Sequence, residues 1–68
     1  MESKELINNL KKRDECLENE TFQLYDIMMD TADGSIRHEI IIALRMVENA
    51  LLTVRRLIDN LESKEEQK

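Results

Sequence analysis

The second half of the chain carries a seven-residue apolar repeat that runs without a slip. Ile40, Leu44, Val47, Leu51, Val54, Ile58 and Leu61 are separated by alternating steps of four and three. On an α-helix that spacing draws one continuous stripe, the seam of a coiled coil. Fifteen of the 27 residues from Ile36 to Glu62 are apolar, so the stripe is broad as well as regular. A single helix has nothing to bury such a stripe against. The chain must pack this segment on another helix.

That second helix is supplied in part by the first half. Leu10, Leu17 and Leu24 form one row at helical spacing, and Ile7, Asp14, Thr21 and Met28 form the other. Between Arg13 and Thr21 only Cys16 and Leu17 are apolar, so the middle of this seam is polar. The chain has no proline and a single glycine, Gly34. Thr31-Ala32-Asp33-Gly34-Ser35 is therefore the one credible break, with Asp33 or Ser35 available to cap the following helix. The β-branched run Ile40-Ile41-Ile42 favours extended chain by itself. The 4-3 spacing continues through it, and helix prevails.

These observations predict an all-α fold, an antiparallel two-helix hairpin of coiled-coil type, as one domain over residues 1–68. Its parts are a helix over 4–31, a turn over 32–34, a helix over 35–62 and a frayed tail over 63–68. Each helix of about 28 residues would run roughly 42 Å. Gly34 is expected at a left-handed position, where an alanine would cost about 1 kcal/mol or more. A domain of 68 residues buries only a modest core. Small folds compensate with disulfides, metals or oligomerisation. One cysteine excludes an intrachain disulfide, and self-association or a helical partner is left to complete the fold.

The net charge of −5 falls entirely on residues 1–34, while residues 35–68 are balanced. An acidic first half repels phosphate, which disfavours nucleic acid and anionic membrane as partners. No apolar run reaches membrane-spanning length, and the first residues lack the profile of a secretion signal. With a single cysteine this fits the cytoplasm.

Candidate chemistry is thin. His38 is the only histidine and has no partner placed by sequence for acid–base work. Cys16 stands among Glu15, Glu18 and Glu20, which discourages a thiolate. Neither makes a metal site with the other. Asp26, Asp30 and Asp33 cluster near the turn but lack the calcium-loop pattern. Arg45, Arg55 and Arg56 have Glu48 and Asp59 within helical ion-pairing distance on their own helix. Phe22 and Tyr25, at i and i+3, either shield the flank of the second helix or anchor a partner. The expectation is a protein that is not an enzyme, with no cofactor, metal or small-molecule substrate.

What remains is binding. The second helix offers more apolar surface than the first can cover, so Leu44, Val47, Leu51, Leu52, Val54, Ile58 and Leu61 are the expected partner-binding residues.

The segment from Met46 to Leu61, Met-Val-Glu-Asn-Ala-Leu-Leu-Thr-Val-Arg-Arg-Leu-Ile-Asp-Asn-Leu, resembles the final helix of the small YscE-like co-chaperones of type III secretion. The shared pattern is an apolar pair, a glutamate, a small residue before alanine, then an aliphatic run closing on leucine. The resemblance implies an accessory subunit that binds a helical-repeat co-chaperone and with it holds a needle subunit unpolymerised. In size and architecture the chain is also similar to Rop-like hairpins. That likeness implies a homodimeric four-helix bundle, as in a phage or plasmid regulator. The basic face with which those hairpins bind RNA is replaced here by an acidic first helix.

Overall fold

The computed structural model describes residues 3–66. They form two helices, α1 (Ser3–Asp30) and α2 (Gly34–Glu66), joined by residues 31–33. The helices pack along their length as an all-α hairpin with an outline of 53 × 16 × 14 Å.

The seam follows the heptad. Leu44, Leu51 and Ile58 of α2 are buried together with Ile7 of α1. The other predicted seam positions of α1, from Leu10 to Met28, are all half-buried, as are Ile40, Val47, Val54 and Leu61 of α2. A 3.5-residue repeat keeps these positions turned toward the partner helix over many turns, which is why sequence spacing locates them.

Two polar side chains interrupt the α1 seam, one satisfied within its own helix and the other from α2. The Thr21 hydroxyl donates to the Leu17 carbonyl one turn back, at 2.9 Å. Asp14 accepts from Arg55 on α2, Nε to Oδ2 at 3.0 Å and Nη2 to Oδ1 at 3.3 Å. The same guanidinium donates to Glu18 at 2.7 Å. A planar fork matched to a carboxylate defines geometry more sharply than an apolar contact does. Asp14 thus opposes Arg55, and a slip of one heptad would separate them. The Arg55 pKa is raised above the ordinary guanidinium value, first by the hydrogen bond to Asp14, so its charge is constant. The expected pairing of this arginine within its own helix gives way to pairing across the hairpin.

The turn departs from expectation. Gly34 has no positive φ and is the first residue of α2. The residue that organises the break is Asp33. Its Oδ1 accepts from the backbone N–H of Ser35 at 2.8 Å and of Ile36 at 3.1 Å, the arrangement of an N-cap. Its carbonyl accepts the first bond of the helix from Arg37 N–H at 2.9 Å. At the other side, the Thr31 N–H reaches the Met28 carbonyl at 3.2 Å and the Thr31 hydroxyl donates to the Ile27 carbonyl at 2.6 Å. The Arg37 side chain then donates to the Thr31 carbonyl at 2.8 Å. It also places a cation at the negative end of α1, whose last turn holds no basic residue of its own. With the α1 end satisfied by side chains, no left-handed glycine is required.

A methyl group at Gly34 would meet nothing within 4 Å. Gly34→Ala is therefore expected to stabilise the hairpin by a few tenths to about 1 kcal/mol, the reverse of the sign read from sequence. Urea denaturation followed by circular dichroism gives the sign directly. A lower midpoint for the variant would contradict the negative φ.

The helix boundaries differ from the expected 4–31 and 35–62 by a residue at the turn, and by more at the far end. Ser63-Lys64-Glu65-Glu66 continue α2, whereas a frayed tail was expected from residue 63. Lysine and glutamate propagate a helix well once it is nucleated, and Lys64 suits a C-terminal turn. Residues 67 and 68 of the expected tail lie outside the described residues.

Candidate protein-interaction site

The two flanks of the hairpin are different in kind. In heptad terms Leu44, Leu51 and Ile58 share one seam position, and Ile41, Glu48, Arg55 and Glu62 follow them by four residues on one edge of α2. Across from this edge, α1 presents Lys4, Lys11, Glu18 and Tyr25. The two edges are tied: Lys11 Nζ lies 3.8 Å from Glu62, Arg55 holds Asp14 and Glu18, and the Tyr25 hydroxyl donates to Glu48 at 3.4 Å. This flank is polar and closed. Near its open end a shallow hollow is lined by Lys4, Ile7, Asn8, Lys11, Glu62 and Glu65, with charges of both signs.

The opposite flank is apolar and open. Its α2 edge is Ile36, Ala43, Ala50 and Leu57, and its α1 edge is Leu6, Arg13, Glu20 and Ile27. Ile36, Leu57, Leu6 and Ile27 remain 55, 46, 36 and 52% exposed. Ile36, Ile40, Ala43, Val47, Ala50, Val54, Leu57 and Leu61 form a second 4-3 series on α2, apolar at every position. This second series lies one residue to the side of the Leu44, Leu51 and Ile58 row. It was legible in the sequence, because one helix with two adjacent apolar series has a face for each of two neighbours.

The seven expected partner-binding residues are thereby divided. Leu44, Leu51 and Ile58 are buried in the hairpin and face α1. Val47, Val54 and Leu61 are half-buried and border the open flank. Leu52 is half exposed, on the outer side of α2 next to the ion-paired edge. Val47, Val54 and Leu61 are thus partly accessible beside exposed Ile36 and Leu57, and the buried row is not. Phe22 and Met29 are exposed on α1 outside the ion-paired flank, and Tyr25 is bound into it.

His38 and Cys16 are both exposed. Among the described residues no group of three or more His, Cys, Asp and Glu is placed to hold a metal ion. Asp33 caps α2, while Asp26 and Asp30 stand in solvent. No described helix is long and apolar enough to cross a membrane. His38→Ala and Cys16→Ser are expected to leave helicity and partner association within about threefold of the parent, since neither side chain is buried. Loss of association in either variant with the helices intact would assign that residue a role.

Comparison with protein-family models, with curated proteins and with solved structures finds no match to this chain.

Proposed function

We propose that the chain is a non-enzymatic helical interaction module, an accessory subunit or co-chaperone that binds a helical partner in the cytoplasm. The observation that carries this reading is the amount of apolar side chain left outside the hairpin on α2. Ile36, Ile42, Met46, Leu52 and Leu57 are all exposed, although each belongs to a helix with a buried seam of its own. Exposed apolar surface in this amount on a small chain marks an interaction site. A helix laid along α2 would bury it in the groove-binding mode, reading anchors at i, i+3, i+4 and i+7.

The resemblance of residues 46–61 to the final helix of YscE-like co-chaperones suggests the kind of partner, a helical-repeat protein that shares in holding a secretion subunit unpolymerised. The test is co-expression of the chain with helical proteins encoded beside it. A defined-stoichiometry complex that persists through gel filtration, and is lost in Met46→Glu with helicity retained, is the expected result. Co-expressed neighbours that elute apart from the chain would defeat the co-chaperone reading.

A further inference from the structure

We infer that the open flank is the face on which a second copy of this chain docks, antiparallel, with α1 lying against α1 of the other copy. The accessory-subunit reading does not enter into this. It stands on three features of the flank itself.

The first is that one side of the hairpin is already closed. Lys11–Glu62, Arg55–Asp14, Arg55–Glu18 and Tyr25–Glu48 join α1 to α2 along one flank. The other flank has no such ties among the described residues, and its rows Leu6, Ile27, Ile36 and Leu57 are left in water.

The second is charge. The α1 row reads Leu6, Arg13, Glu20, Ile27: apolar, positive, negative, apolar. Among the described residues neither Arg13 nor Glu20 forms an ion pair, and both are exposed. Reversed, the row is its own complement. A two-fold axis passing between these two residues puts Arg13 of each copy against Glu20 of the other, and Leu6 against Ile27. An unrelated helix would need that pattern by chance, whereas an isologous dimer supplies it by symmetry. The adjoining α2 row contributes Ile36, Ala43, Ala50 and Leu57 as apolar contacts and ends on the exposed Lys64.

The third is size. From the 53 × 14 Å outline, one flank covers roughly 700–800 Å². A stable interface of standard size takes about 800 Å² from each partner. The flank comes up to that size only if nearly all of it is buried in the dimer.

The experiment is sedimentation equilibrium of the full chain from low micromolar to millimolar concentration, with helicity recorded for every variant. The parent is expected to dimerise. Leu57→Glu should weaken the dimer on the order of a hundredfold, by placing a carboxylate in the apolar row. Leu52→Glu, an equal change on the side of α2 away from this flank, should stay within about threefold of the parent. Arg13→Glu and Glu20→Arg should each weaken dimerisation about tenfold at low ionic strength, and less in salt. Mixed in equal amounts, those two variants should associate with each other nearly as tightly as the parent does with itself. Both residues are exposed and form no ion pair among the described residues, so this pair reports on docking even if Leu57→Glu fails to fold. A parent that stays monomeric over the whole range overturns the inference. So does a mixture no tighter than the single variants, or dissociation by Leu52→Glu equal to that by Leu57→Glu.

Discussion

Leu51→Glu is expected to abolish the hairpin, while Leu52→Glu, one residue along, leaves its helicity close to that of the parent. Leu51 is only 8% exposed and is the middle member of the buried row Leu44, Leu51 and Ile58, facing α1. A carboxylate there is removed from water without a partner, and the chain escapes that cost only by parting the helices. Even Leu51→Ala, which adds no charge, should cost about 2–5 kcal/mol as a large-to-small change in a seam. Complete folding free energies of small domains are of the same order. Only four side chains are buried among the described residues, so the margin is narrow. At Leu52 the side chain is 51% exposed and the new charge remains in solvent. Far-ultraviolet circular dichroism over a urea series separates the cases. Native helicity in Leu51→Glu would mean that α1 does not cover this row.

The second large effect belongs to the cap. Asp33→Ala is expected to destabilise the hairpin by about 1 kcal/mol, within a range of roughly 0.5–2. The substitution leaves the N–H groups of Ser35 and Ile36 without the Oδ1 acceptor that now serves both. It also removes a negative charge from the positive end of α2. Asp33→Asn keeps an acceptor and loses the charge, so it should recover most of the difference. Gly34→Ala in the same chain should offset part of the loss, since it acts chiefly by restricting the unfolded ensemble. The shift in urea midpoint across these variants is the measurement. An unchanged midpoint in Asp33→Ala, with α2 still beginning at residue 34, would show that water serves those N–H groups equally well.

The fold was readable because its signal is periodic. Each seam residue of α2 repeats the same statement every three or four positions, and packing between two helices answers to that periodicity directly. The turn was less readable for a local reason. Gly34 next to Asp33 allows two arrangements, a left-handed glycine ending α1 or an aspartate beginning α2. The choice depends on whether the carbonyls at the end of α1 find other donors. They find Thr31 and the Arg37 side chain, six residues from the carbonyl it serves. That arginine reads in sequence as one more surface cation.

The candidate surface was legible only by halves. The sequence pattern points to α2 as the helix with the apolar surplus, whereas the structure leaves five large apolar side chains exposed on each helix. The sequence did not show which residues make up the remainder. Leu44, Leu51 and Ile58 look the same as Val47, Val54 and Leu61 in a linear pattern, since all six are aliphatic and equally spaced. They part company only when α1 comes to rest on one side of the stripe.

By itself, then, the sequence determined the two helices, the single break and the antiparallel pairing, because helix formation and amphipathic burial depend on local spacing and on one permissive turn. The tertiary structure decided which side of the hairpin is closed. Arg55 reaches Asp14 and Glu18 across 41 and 37 residues of chain, and Lys11 meets Glu62 in the same way. Ion pairs between distant residues depend on the register and rotation of one helix against the other, which no single segment encodes. Once those pairs close one flank, Leu6, Ile27, Ile36 and Leu57 are left together on the other. Their meeting is a property of the packed hairpin, not of either helix.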